Sequence, residues 1–407
     1  MNYNKGESFM FLKKIVDEGI TNPYLNQDDS AYDAAKLKKA HDAAIAKIDK
    51  GMEDFGSQYP CGSSENYIYS TVPYTHAGWE QGFWTGMLWL AWEDTKNEKY
   101  KELAMKHIPE FYDRIYNKIG VNHHDMGFLY SPSCVAAYKL TGDEQAKEAA
   151  LLAAEHLTTR YNEKGKFIQA WGDVGQETEN RLIVDCLMNI PLLYWASEET
   201  GDPKYHDMAY KHFRTTLNNT VRENAGSHQT YFFDAKTGTP LYGKRDQGFS
   251  DDTTWSRGQG WCVYGMMLTY KYTKDPDAIE VCKKMANYYI NRCPEDCIPY
   301  WDLDISGDDE PRDSAAAALV VCGLIELVKL LDDSDPYKAQ YKKFINLTMN
   351  SLYDNYATKD VSESNGLLLH ATYSVPHNLG IDECNIWGDY YYMEALHKLY
   401  NETELYW

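Results

Sequence analysis

The sequence predicts an all-α fold, an (α/α)6 barrel or six-hairpin toroid with short loop and hairpin insertions at its mouth. Three observations carry this: one four-residue turn recurs five times, apolar and polar helices alternate around it, and the two ends of the chain supply a sixth pair.

The turn reads Thr95-Lys-Asn-Glu, Thr141-Gly-Asp-Glu, Thr200-Gly-Asp-Pro, Thr273-Lys-Asp-Pro and Asp333-Ser-Asp-Pro. Each copy is a helix stop followed by a helix start. Its third residue, Asn97, Asp143, Asp202, Asp275 or Asp335, is an N-cap type, and Pro203, Pro276 and Pro336 suit the first helical position, where a missing N–H costs nothing. Successive copies begin 46, 59, 73 and 60 residues apart, enough for two helices and a connection each.

The segments before the turns, 78–92, 127–140, 178–196, 256–272 and 313–331, are apolar and rich in Gly, Ala and aromatics. Those after them, such as 98–115, 144–159 and 203–217, are amphipathic with Lys and Glu. The first set forms an inner ring and the second an outer one. Asn385–Tyr400 and the polar segment Tyr32–Phe55 complete the sixth pair, so the ends meet, which an open solenoid would not require. No Pro-, Gly- or Ser-rich linker divides the chain, so residues 1–407 are read as one catalytic domain. The insert 226–252, with Gln229-Thr-Tyr-Phe-Phe and Pro240-Leu-Tyr-Gly, is expected to lie as a hairpin or loops over the mouth.

Composition narrows the function. The 407 residues are 43% hydrophobic and 14% aromatic, with 34 Tyr and 11 Trp, ample for a core and suited to a carbohydrate enzyme or a helical repeat. A formal charge of −21 argues against a nucleic-acid partner, which needs a basic face to displace counterions. It also disfavours a polyanionic polymer, so an acidic ligand should be small and met by a local cation. The first residues lack the apolar core of a leader and no run approaches a membrane span, from which we expect a cytoplasmic protein, with no membrane partner and a monomeric state. Nine scattered Cys, with only Cys293 and Cys297 close together, read as reduced core thiols and not as a zinc site.

The most informative stretch is Thr254-Trp-Ser-Arg-Gly-Gln-Gly-Trp261. Two indoles can stack on a sugar, and the Arg257 guanidinium can hold a carboxylate by two hydrogen bonds. Core tryptophans beside a helix cap would read the same way, but similar clusters recur where the other inner helices begin. These are Trp79, Asn122-His-His-Asp125, Trp171 with Asp173, Asn180-Arg181 with Asp185, His228, Gln247, and Asn385-Ile-Trp387-Gly-Asp389.

Asp185 sits in the apolar run Leu182–Ile190, read here as helix, and must face a pocket or a buried partner; a helical pair with Arg181 is the simpler alternative. Asp125 precedes an inner helix, where it could act on a ligand or merely cap the helix. His123-His124-Asp125 lacks metal-ligand spacing, so neither metal nor cofactor is expected.

These motifs, with Asp185-x-x-Met-Asn189-Ile-Pro and Asp313-Ser-Ala-Ala-Ala, together resemble the unsaturated glucuronyl hydrolases of glycoside hydrolase family 88, in order from about Trp79 to Leu396. The resemblance implies an enzyme acting on polysaccharide-lyase products, small acidic oligosaccharides such as chondroitin or hyaluronan disaccharides. It would release their terminal Δ4,5-unsaturated glucuronate by hydrating the C4=C5 bond. It implies Asp185 as the acid that protonates C4 and guides water to C5, with Asp125 assisting. The substrate-binding set it implies is Trp79, His124, Trp171, Asn189, His228, Gln247, Trp255, Arg257, Trp261, Tyr373, Ser374 and His377.

One feature departs from the family. Members favouring sulfated disaccharides carry Ser-x-x-Ser-x-Lys before Asn-Ile-Trp-Gly-Asp, whereas this chain reads Ser374-Val-Pro-His377-Asn-Leu379, so no strong preference for sulfate is expected. An unsaturated rhamnogalacturonyl hydrolase, a sugar epimerase using His124, His228 or His370, and a non-catalytic sugar-binding barrel stay open as alternatives.

Overall fold

The computed structural model describes residues 14–358, 364–401 and 406–407. Residues 1–13, most of the stretch read for a leader, lie outside them. Among the described residues no helix is long and apolar enough to cross a membrane.

The recurring turn is a repeated hydrogen-bond device. In its first four copies the Thr hydroxyl donates to the carbonyl four residues back, as Thr95 does to Ala91 at 2.6 Å, and accepts the N–H of the cap residue at 3.2 Å. The residue between them is left-handed, with φ between 55° and 74° at Lys96, Gly142, Gly201 and Lys274. The cap then accepts from the next helix: Asn97 from Lys99, Asp143 from Ala146, Asp202 from Lys204, Asp275 from Asp277. One side chain thus closes a helix and sets the cap of the following one.

The fifth copy departs from this expectation. It has Asp333 in place of Thr, the preceding helix stops at Leu330, and the next starts only at Lys338, with Tyr337 at its N-cap position making no side-chain cap bond. Asp335 instead accepts from the Tyr337 N–H and pairs with Lys283 at 2.7 Å. Without the Thr hydroxyl, the two helices are not held at two-residue spacing.

The inner ring runs through Gln81–Thr95, then Met126–Tyr130 continued by a π-turn at Ser131–Val135 into Ala136–Thr141. It proceeds through Cys186–Asn189 and Pro191–Thr200, then Ser256–Thr273, Ser314–Leu330 and Ile386–Tyr400. Each packs on the next, and the last packs on the first. Stretches such as Gln81–Ala91 and Ser314–Ile325 are buried on all sides, as an inner helix must be. Ala34–Phe55, Glu98–Tyr116, Glu144–Thr158, Pro203–Thr220, Pro276–Arg292 and Lys338–Ser351 form the outer layer. The result is the (α/α)6 barrel, closed by the first and last helices.

Segment 178–196 corrects the sequence-based expectation, because it is not one helix. Arg181–Ile183 is a strand, paired antiparallel with Thr230–Phe233, which pairs in turn with Pro240–Lys244. A short apolar run does not distinguish strand from buried helix, and here the mouth hairpin captures it. The expected hairpin within 226–252 is present and gains this third strand. All nine Cys are unpaired thiols, eight of them buried.

Candidate active site

The N-terminal ends of the inner helices converge on one side of the barrel. Asp125, Asp185, Trp255, Asp313 and Asn385 each stand immediately before an inner helix. Between them opens a cavity of about 220 Å³ lined by Ala77, Trp79, His123, Asp125, Trp171, Asp185, Gln247, Trp255, Arg257, Trp261 and Tyr373.

Its floor is aromatic. Trp79 stacks on Trp387 with ring centres 4.9 Å apart, and Phe128 lies 5.1 Å from both Trp79 and Trp261. The Trp79 indole N–H donates to the Tyr373 hydroxyl at 3.1 Å, which fixes its tilt.

Two carboxyls face each other above this floor. Asp125 occupies the cap position of its helix but makes no side-chain cap bond, so capping does not account for it. Its oxygens take other partners: His123 Nδ1 lies 3.1 Å from Oδ2, and the Asn189 amide donates to Oδ1 at 3.4 Å. Asn189 is held in turn, its carbonyl accepting from the Phe128 N–H at 3.0 Å. That contact requires Gly127, since a Cβ there would stand 2.4 Å from the Asn189 Cα.

Asp185 is not paired with Arg181, which turns to Glu179 at 2.9 Å. Its side chain keeps 19% exposure, toward the cavity, and Oδ1 has no hydrogen-bond donor among the described residues. The buried His124 ring lies between the acids, with Nε2 3.3 Å from each Oδ1.

The two acids therefore titrate apart. Burial raises Asp185 well above the usual carboxyl range, and the negative charge of Asp125 pushes it the same way, against weaker opposition from backbone N–H groups and Arg257. Burial would raise Asp125 too, but His124, His123 and the Asn189 amide outweigh it and hold that carboxyl below its ordinary value. Burial lowers His124 to about 4, so its ring is neutral at pH 7. The surroundings favour the protonated form of one acid and the ionised form of its neighbour, the division of labour that acid–base catalysis needs.

Arg257 is less free than its sequence context suggests. Its terminal nitrogens donate to Asp313, to the Thr372 and Tyr373 carbonyls at 2.6 Å each, and to Gln247 at 3.1 Å, while its plane lies 4.5 Å from the Trp255 ring centre. It is a fixed buried cation in the wall, with no open fork for a carboxylate.

Of the residues singled out from sequence, Trp79, Asp125, Trp171, Asp185, Gln247, Trp255, Arg257, Trp261 and Tyr373 line the cavity. His124, between the acids, and Asn189, beside Asp125, stay outside the lining. His228 lies outside the lining, packed under Gly243, where any Cβ would strike its ring. Ser374 and His377 also lie outside, the Ser374 hydroxyl 2.7 Å from His377 Nδ1. The binding set expected from sequence omits His123 and Ala77, and only the His-His-Asp cluster points to His123. Among the described residues, His124, Asp125 and Asp185 have ligand atoms within 4.8 Å of one another, close enough to share a cation.

Two neighbouring acids driven apart in this way, over a floor of indoles in a six-hairpin barrel, define an acid–base enzyme of carbohydrates. Residues 52–403 match Glycosyl Hydrolase Family 88, and the chain belongs to that family of glycosidases. It is 44% identical over 399 residues to the unsaturated chondroitin disaccharide hydrolase of Streptococcus agalactiae, covering 98% of this chain and all of that one. It is 38% identical to the unsaturated glucuronyl hydrolase of Bacillus sp. strain GL1, over 89% of this chain and 97% of the other. The crystal structure of the Streptococcus agalactiae unsaturated glucuronyl hydrolase superposes with a TM-score of 0.94, at 44% identity over 98% of this chain and all of that chain. A mutant of that enzyme complexed with dGlcA-GalNAc6S superposes with a TM-score of 0.87, at 41% identity over the same shares.

Proposed function

We propose that this enzyme releases a Δ4,5-unsaturated glucuronate from the non-reducing end of small oligosaccharides left by polysaccharide lyases, chondroitin and hyaluronan disaccharides among them. The observation that carries the reading is the split pair Asp125 and Asp185 at the head of the indole-floored cavity. The names of the relatives support the substrate class.

Asp185, whose protonated form burial and the charge of Asp125 favour, delivers its proton to C4 of the conjugated double bond. Positive charge then develops at C5, shared with the ring oxygen, and is attacked by a water that gives up its proton to the Asp185 carboxylate. The product is a hemiketal at C5. Opening of that ring leaves C1 as a hemiacetal, which expels the second sugar. Asp125, ionised and within 4.8 Å, keeps Asp185 protonated and offsets the positive charge of the transition state. Trp79, Trp171, Trp255 and Trp261 wall the unsaturated ring, Gln247 and Tyr373 present polar groups to it, and Arg257 holds Gln247 and the 372–373 backbone in place. The chain works without a cofactor in this scheme.

The test follows the ultraviolet absorbance of the conjugated bond in unsulfated chondroitin and hyaluronan Δ-disaccharides. Decay with appearance of the free second sugar is expected. A persistent chromophore in both substrates refutes the reading.

A further inference from the structure

One buried cation outside the cavity belongs neither to the acid pair nor to the Arg257 wall. Arg160 is 1% exposed and lies in the chain between the outer helix Glu144–Thr158 and the small hairpin formed by Tyr161–Asn162 and Phe167–Ile168. Among the described residues all its side-chain hydrogen bonds go to uncharged oxygens. A guanidinium withdrawn from water with no carboxylate bonded to it is costly. What it offers over a neutral side chain is its fork, which holds several groups at fixed angles.

Those bonds join two walls of the cavity. Nη1 donates to Asn122 Oδ1 at 2.6 Å, and Asn122 opens the run Asn122-His123-His124-Asp125. Nε donates to the Gln169 carbonyl and Nη2 to the Gly172 carbonyl, each at 2.9 Å, so the guanidinium spans the segment that carries Trp171. Gln169 answers through its N–H, which donates to the Arg160 carbonyl at 2.9 Å. Its fully buried side chain extends the hold: the amide donates to the Trp171 and Asp173 carbonyls at 3.0 and 2.9 Å, and the oxygen accepts the Gly175 N–H at 3.0 Å. One backbone bond, from the His124 N–H to the Ala170 carbonyl at 2.7 Å, also crosses between the two segments. His123 and Asp125 of the first and Trp171 of the second line the cavity, whereas Arg160 does not.

We propose that Arg160 is a positioning residue for the reaction, setting the distance between Asp125 and the Trp171 indole so that a sugar ring stacks where the acid pair reaches it. The role rests on the hydrolase function proposed for the cavity. Asn122 is the arm toward the acids, and Gln169 is the arm toward the indole. Releasing the first misplaces Asp125 against a bound ring and falls on kcat. Releasing the second loosens the wall that binds the ring and falls on KM.

The experiment measures kcat and KM on an unsulfated unsaturated chondroitin disaccharide, together with urea midpoints, for the wild type and for Arg160→Lys, Asn122→Ala and Gln169→Ala. Arg160→Lys keeps the charge and loses the fork, and in the folded protein kcat/KM should fall roughly tenfold to a hundredfold, the scale of a displacement of about 1 Å. Asn122 is exposed, so its truncation empties no core. Asn122→Ala should lower kcat about fivefold or more with KM near wild type, whereas Gln169→Ala should raise KM by a similar factor with kcat within about twofold. If Arg160→Lys does not fold, the opposite signatures of the other two variants decide alone. A merely structural role would lower the urea midpoints and move neither constant in the folded proteins. That result, or the same pattern of kcat and KM in Asn122→Ala and Gln169→Ala, overturns the positioning role while an active wild type leaves the hydrolase reading intact. A wild type inert on the disaccharide overturns both.

Discussion

Asp185 and Asp125 approach within 4.8 Å at the head of the cavity, and their carboxyls are driven in opposite directions, one up and one down. The asymmetry comes from neighbours. His123, His124 and Asn189 favour the charge on Asp125, while Asp185 Oδ1 has no donor and meets the charge of Asp125.

Asp185→Asn should abolish turnover while leaving substrate binding within a few-fold of wild type, because the amide keeps the shape and loses the transferable proton. General acid catalysis is worth roughly 10²–10⁴-fold. Single-turnover kinetics and calorimetric binding of an unsaturated disaccharide check it; near-normal kcat would remove Asp185 from the role of acid.

Asp125→Asn should lower kcat and shift the pH profile. The negative charge of Asp125 raises the Asp185 pKa, so its removal lets Asp185 lose its proton at lower pH. Activity depends on that proton, so the alkaline limb should move toward acid. A pH series of kcat/KM reads this directly, and an unmoved limb would show that Asp125 does not set the proton on Asp185.

Asp313→Ala should destabilise the fold. It leaves Arg257, 1% exposed, without the carboxylate that neutralises it, and breaking a buried pair costs about 3–5 kcal/mol. Urea denaturation should show the lower midpoint, whereas a loss under about 1 kcal/mol would mean the carbonyls of Thr372 and Tyr373 suffice.

Asp143→Ala removes one repeated cap, whose carboxylate accepts the Ala146 N–H at 2.8 Å. A loss of about 1 kcal/mol with unchanged kcat is expected, since the turn lies away from the cavity. A kcat change in the folded variant would contradict that separation.

Treatment with a chelator should leave the rate unchanged. A cation shared by His124, Asp125 and Asp185 would displace the proton that the chemistry uses, so added zinc should inhibit. Loss of activity on chelation, restored by one divalent ion, would require a different mechanism.

Much of the barrel is legible in the chain because helix ends are local. A Thr hydroxyl, a left-handed residue and an Asn or Asp two positions on dictate a stop and a start within one turn of backbone, and four of the five copies obey. Placing Asp125 and Trp255 before inner helices came from that, whereas Asp185, read inside a helix, gained its place before Cys186–Asn189 only from the fold. What the sequence could not decide depended on residues far away in the chain. Arg181–Ile183 became a strand because Thr230–Phe233 reaches it, and that pairing turned Arg181 away from Asp185 toward Glu179 and the rings of Trp171 and Phe232. Arg257 looked like an open fork until Asp313 and the 372–373 carbonyls closed on it. The opposite drive on Asp125 and Asp185, too, is tertiary: two aspartates of equal chemistry differ in which partners the fold brings within about 3.3 Å.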